Sequence, residues 1–76
     1  FTAIRFTGLN GEEGTGSETL VIRTSSRIQC CMLCQDHTTL CAAAQFHLVS
    51  KECKLFVTNA HKNTGNMDVV FLLPGV

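Results

Sequence analysis

The clearest periodic pattern in the chain is a helical stripe near its centre. Cysteine, leucine and histidine recur at helical spacing on one stripe, at Cys30, Leu33, Cys34 and His37. Ser26 is followed three residues later by Gln29, a capping-box pattern in which two side chains satisfy free amides of a helix's first turn. The sequence therefore predicts an α-helix over 27–36 with two cysteines facing the interior.

Alternation of apolar and polar residues predicts strands on both sides of this helix. The predicted strands cover 1–7, 19–23, 42–49, 53–57 and 67–73. Glycines crowd 8–16, and asparagines with a glycine fill 58–66, so both segments are predicted to be loops. The predicted fold class is α+β, with a single helix packed across a twisted, mostly antiparallel sheet of four to five strands.

The chain is short and rich in cysteine. Its 76 residues suffice for one domain at most, which we expect to span 1–76. A domain of this size is seldom stable on its hydrophobic core alone, and disulfides are the usual remedy in small extracellular domains. Phe1 in place of an initiating Met leads us to expect a processed chain or a piece of a longer one. We predict a secreted or extracellular location.

Three chemistries compete for the cysteines. The five are Cys30, Cys31, Cys34, Cys41 and Cys53. Two disulfides and one leftover thiol form the favoured interpretation, although spacing alone does not choose the pairing. A zinc site would use Cys30, Cys34, His37 and Cys41, but paired Cys-x2-Cys knuckles are missing. A redox pair of Cys31 and Cys34 would lie inside the helix, where nothing lowers a thiol pKa.

Charge and hydropathy exclude several function classes. Six basic and six acidic residues give a formal charge of +0, so no positive field attracts nucleic acid or an anionic membrane. The apolar tract 69–73 is far shorter than the roughly 20 residues of a spanning helix. Charged residues make up 16% of the chain, against about a quarter in an average soluble domain. This deficit indicates a surface partly covered by a partner, with neither nucleic acid nor a membrane span involved.

No catalytic or metal-binding pattern stands out. A cysteine nucleophile needs a cleft and an orienting partner, and a small disulfide-bonded domain has little room for them. We therefore predict no enzyme activity and no catalytic residue. Asn10, Glu12 and Glu13 are candidate calcium ligands, but their spacing does not match an EF-hand. A flexible solvated loop is the favoured interpretation, with no metal and no cofactor.

The stretch 26–56 resembles the core of a PAN/apple domain. A capped helix carries Cys30 and Cys34, a third cysteine follows, and an aromatic-containing strand leads to Cys53 with a leucine soon after it. The resemblance implies nested disulfides, Cys30 with Cys53 and Cys34 with Cys41. No cysteine lies before the first of these or after the last. The chain is thus similar to the simple two-disulfide PAN type, without the additional bridge of the apple subtype.

The resemblance also implies a function, extracellular recognition, most often of protein and occasionally of carbohydrate. We expect a non-catalytic recognition or assembly module that binds protein partners or associates with itself, for example as a subunit of a larger extracellular structure. Heparin binding, which strongly basic members show, does not carry over to a neutral chain. The alternative is a monomeric effector, either a soluble carbohydrate-binding lectin or a secreted toxin-like or haemostasis-modulating protein. Trp and Tyr are both 0, which disfavours the lectin.

The leftover cysteine, Cys31, has two interpretations. An unpaired cysteine in a secreted chain is either a small buried thiol or a bond to another chain. Arg27 and Gln35 share its helix stripe, which indicates contact with solvent. The sequence therefore slightly favours an intermolecular disulfide at Cys31.

Overall fold

The computed structural model describes residues 6–37 and 39–74, which form one helix and seven strands. The elements are β1 (Phe6–Asn10), β2 (Glu12–Gly14), β3 (Glu18–Arg23), α1 (Arg27–Asp36), β4 (Ala43–His47), β5 (Glu52–Phe56), β6 (His61–Asn63) and β7 (Val69–Pro74). Five strands form one sheet in the order β1-β7-β4-β5-β3, with every neighbouring pair antiparallel. The predicted α+β class, one helix on an antiparallel sheet of up to five strands, is confirmed.

Helix α1 has the predicted bounds, but its cap differs in one detail. The Ser26 backbone is extended and its hydroxyl accepts the Gln29 N–H at 3.3 Å. The Gln29 side chain then reaches Ser25 rather than Ser26, accepting its N–H at 2.6 Å and its hydroxyl at 2.7 Å. His37 is the C-cap that follows the helix, and its ring Nδ1 bonds the Leu33 carbonyl at 3.0 Å. The second contact of the capping box, from the Gln29 side chain back to the backbone, is therefore made to Ser25, one residue before the N-cap.

One face of the five-stranded sheet packs against α1 to form the main core. Its largest fully buried side chains include Phe46 on β4, Leu55 on β5 and Val70 on β7. The helix contributes Cys30 and Cys34, which are 0% and 2% exposed. The predicted inward stripe is therefore the surface that joins helix to sheet.

The opposite face of this sheet is covered by a second, two-stranded sheet of β2 and β6. Phe56 and Phe71 form a small core there, and the His61 ring lies 4.9 Å from the Phe71 ring. Gln45 is also buried, and its side-chain oxygen accepts the Gly14 N–H at 3.0 Å. The molecule thus has three layers, with the five-stranded sheet in the middle.

The second sheet corrects the prediction that 8–16 and 58–66 are loops. β1 extends to Asn10 because its backbone pairs with β7, and β2 pairs with β6 across almost fifty residues of sequence. β2 and β6 are short and polar, so the local pattern carried no strand signal. Of the predicted first strand, residues 1–5 lie outside the described part, and β1 is described from Phe6 onward.

Candidate functional site

Two disulfides fasten α1 to the rest of the chain. Cys30 is bonded to Cys53 on β5, and Cys34 is bonded to Cys41 in the segment after the helix. All four residues are buried. This is the nested arrangement that the PAN resemblance implies. Because the sulfurs of the candidate zinc ligands are joined in disulfides, they are not available as thiolates for a metal.

Cys31 is the free cysteine of the described chain, and it lies at the margin of the core. Its side chain is half-buried and packs against the main cluster. Burial raises the pKa of the Cys31 thiol above its usual value of 9.0, while the positive charge of Arg27 works in the opposite direction. Thiolate is the reactive form of cysteine, so at neutral pH this thiol is a slow nucleophile. An inter-chain disulfide at Cys31 stays a prediction.

Two of the candidate calcium ligands, Glu12 and Glu13, belong to β2 of the second sheet. The His61 ring donates to Glu12 Oε1 at 2.9 Å, and Lys62 Nζ lies 3.5 Å from Glu13 Oε1. Asn10 is part of β1. Within residues 6–37 and 39–74, no group of three or more His, Cys, Asp or Glu side chains is placed to hold a metal ion. The acidic segment is thus a paired strand rather than the predicted flexible loop.

A groove with a volume of about 260 Å³ lies between α1 and β3. Ile22 of β3 and the helix residues Met32 and Leu33 provide apolar walls. Arg23 and Asp36 supply one charge of each sign at the same groove. We call this the α1–β3 groove. An apolar cleft flanked by both charges suits a complementary protein surface.

The groove continues into exposed apolar surface. Ile22 and Met32 are 40% and 42% exposed, and Ile28, one turn before Met32 on the helix, is 71% exposed. Contiguous exposed apolar side chains of this kind mark interaction sites in small soluble domains. Among the other exposed apolar residues, Val57 and Met67 lie outside the strands and the helix.

The groove residues are absent from the sites that the sequence predicts, although one signal for them exists. At 100° per residue, Ile28 and Met32 fall on the helix side opposite the cysteine stripe of Cys30 and Cys34. An apolar pair on the outward face of a capped helix indicates a surface that another molecule covers. The contribution of β3 has no such signal, because it depends on how the sheet is ordered.

Comparison with known proteins identifies the family. A model of the PAN domain matches residues 4–71, which is most of the chain. The chain therefore belongs to the PAN domain family. PAN domains are interaction modules of extracellular proteins that generally bind protein or carbohydrate and are generally non-catalytic. Searches among curated proteins and among solved structures gave no match.

The disulfides agree with the extracellular setting of this family, because such bonds persist in oxidising compartments. No helix in the described ranges is long and apolar enough to cross a membrane.

Proposed function

We propose that this chain is a secreted, non-catalytic recognition module that binds a protein partner through the α1–β3 groove. The exposed apolar surface formed by Ile22, Ile28 and Met32 beside the groove carries the proposal. Burying such side chains contributes roughly 25 cal/mol for each Å² of apolar surface removed from water. We also propose that residues 1–76 act as one domain, since the two described cores share the same central sheet.

Protein is favoured over carbohydrate by the chemistry of the groove. Its apolar walls are aliphatic, from Ile22, Leu33 and the thioether of Met32. Sugar-binding surfaces favour large amphipathic aromatic rings, and the chain has 0 Trp and 0 Tyr. The bulky rings of Phe46, Phe56 and Phe71 are buried. A lectin function is therefore the alternative that the experiment must exclude.

The test is a binding screen with matched surface variants. The purified oxidised protein is applied to a panel of extracellular protein ectodomains and to a glycan array. The Met32→Asp variant places a charge in the groove. The Val57→Asp control places the same charge on a residue that is 50% exposed, beyond the end of β5 remote from Arg23.

We expect binding to at least one ectodomain and none to glycans. Because Met32→Asp would leave an unpaired charge within the contact, it should weaken binding by at least about tenfold, which corresponds to about 1.4 kcal/mol. Val57→Asp should bind like the wild type. Glycan binding without protein binding would establish the lectin alternative. Equal losses in both variants would show that the groove is not the binding surface.

The inter-chain disulfide at Cys31 is a separate proposal with its own test. The intact mass is measured without reductant, after blocking free thiols, and again after reduction. A dimer mass that halves on reduction, with no blocked thiol beforehand, would establish the link. A monomer with two disulfides and one blocked Cys31 would show that this cysteine is a free thiol and not an inter-chain link.

A further inference from the structure

We infer that a partner of the α1–β3 surface is a second copy of this chain, joined by antiparallel pairing of the two β3 strands. The inference rests on the proposed function, protein binding at this surface, and names the partner. It would extend the five-stranded sheet across the dimer.

β3 offers an open edge within the described residues. Among the described strands it is the last of its sheet, and it pairs only with β5. The Thr24 N–H donates to the Lys51 carbonyl at 2.9 Å, and the pairing runs without a register shift from Arg23 back to Leu20. Since inward and outward backbone groups alternate along an antiparallel strand, the N–H and C=O of Val21 and Arg23 point away from β5. These groups are available to another strand.

β3 also lacks most of the features that protect an edge. Proteins usually block edge pairing with proline, lysine or a bulge. β3 contains neither of these residue types, and its register shift lies at its start, between Glu18 and Leu20. Its centre includes Val21 and Ile22, which are 43% and 40% exposed. At the other end of the sheet, β1 is interrupted by Gly8, so β3 is the edge better suited to pairing.

The charges of β3 fit a second copy. The strand begins with Glu18 and ends with Arg23. In a two-fold pairing with Val21 opposite its own counterpart, Arg23 of each copy lies at the Glu18 end of the other. This attraction occurs twice in each dimer. Because the formal charge of the chain is +0, no net repulsion opposes the association of two copies.

The same register brings apolar side chains together on the face that carries the helix. Ile22 of each copy lies opposite Leu20 of the other, next to the groove that Met32 lines. In strand addition of this kind, backbone hydrogen bonds supply affinity and side-chain pockets supply specificity. The β3 edge thus provides the backbone hydrogen bonds, the apolar contact and the charge pairs that would join two copies.

Sedimentation equilibrium over a range of protein concentrations tests the inference, with free thiols blocked so that no inter-chain disulfide contributes. Arg23→Glu should weaken dimerisation at least tenfold, because a carboxylate at position 23 of each copy would then lie near Glu18 of the other copy. The exchange variant Glu18→Arg with Arg23→Glu should restore it. Lys62→Glu makes the same charge change on β6, remote from β3, and should leave the dimer intact.

A proline variant tests the backbone ladder. Val21→Pro removes an amide that points out of the sheet, so the β3–β5 ladder is preserved while pairing between copies is lost. Circular dichroism checks that each variant keeps its fold. A dimer that tolerates both Val21→Pro and Arg23→Glu would overturn the inference.

A wild-type protein that stays monomeric at every concentration would also overturn it. If that monomer still binds an ectodomain through Met32, recognition through the groove stands and self-pairing alone fails. If it binds no ectodomain, both proposals fail.

Discussion

At the scale of single residues, the burial of the Cys31 thiol makes the stability of the fold depend on pH. Burial holds the pKa of its thiol above the usual value of 9.0, so the folded chain keeps the thiol proton more tightly than the unfolded chain does. The stability that this provides is complete below pH 9.0 and is lost as pH rises through the raised pKa of the folded state.

We predict that the free energy of unfolding of the wild type falls, relative to that of Cys31→Ser, as pH rises above 9.0. Urea unfolding of both proteins across this range measures the difference, and the serine variant corrects for every other group that titrates. A difference that stays constant or grows with pH would show that the thiol is not perturbed by burial.

Helix residues were predictable because their signals are local. Ser26 and Gln29 are three positions apart, and the stripe of Cys30 and Cys34 repeats within one turn, so the cap and the inward face follow from neighbouring residues. The return contact of Gln29 was not predictable. Two adjacent serines compete for it, and Ser25 supplies both an N–H and a hydroxyl.

At the scale of elements, the two disulfides should differ in their contribution to stability. Chain-entropy arguments give roughly 3.4 kcal/mol for the 30–53 loop and roughly 2.5 kcal/mol for the 34–41 loop. Replacing Cys30 and Cys53 together by alanine should therefore destabilise the protein more than replacing Cys34 and Cys41. Urea unfolding of the two double variants measures the stability that each has lost. A larger loss on replacing Cys34 and Cys41 would contradict this prediction.

The contact between the second sheet and the central sheet can be tested at one glycine. A Cβ atom at Gly14 would lie 2.7 Å from the ring of Phe56, so Gly14→Ala should destabilise the protein by about 1–3 kcal/mol through overpacking. The matched control is Gly8→Ala on β1, where the added Cβ would lie 3.4 Å from Val70.

Thermal unfolding measures both glycine variants. We expect a clearly lower transition temperature for Gly14→Ala and little change for Gly8→Ala. Equal transition temperatures would mean that β2 does not pack closely on Phe56.

The strands show where prediction from sequence ends. The hairpin of β4 and β5 was predictable, since two alternating runs are joined by a short turn. β2 and β6 were not, because Glu12 pairs with Asn63 and neither strand has an apolar alternation of its own. Their stability comes from the partner strand and from the phenylalanines beneath them, which only the folded chain brings together.

At the scale of the whole molecule, the family was predictable and the proposed binding surface was not. The spacing of the cysteines within 26–56 carries the PAN resemblance, and the PAN domain model matches residues 4–71. The α1–β3 groove combines a helix with a strand that becomes its neighbour only through the sheet order. The helix part of this surface, Ile28 and Met32, was predictable as an outward apolar pair.

The central claim is that the α1–β3 surface is a protein interface, with a second copy as a partner. The chain contains 2 methionines. Met32 lines the groove, whereas Met67 is 62% exposed in the segment before β7 and provides an internal control. The most direct measurement is the methyl NMR spectrum of methionine-labelled protein at increasing protein concentration, with free thiols blocked.

We predict that the Met32 methyl signal shifts with concentration along a binding curve while the Met67 signal stays in place. Two signals that remain fixed throughout, or a shift confined to Met67, would contradict the account.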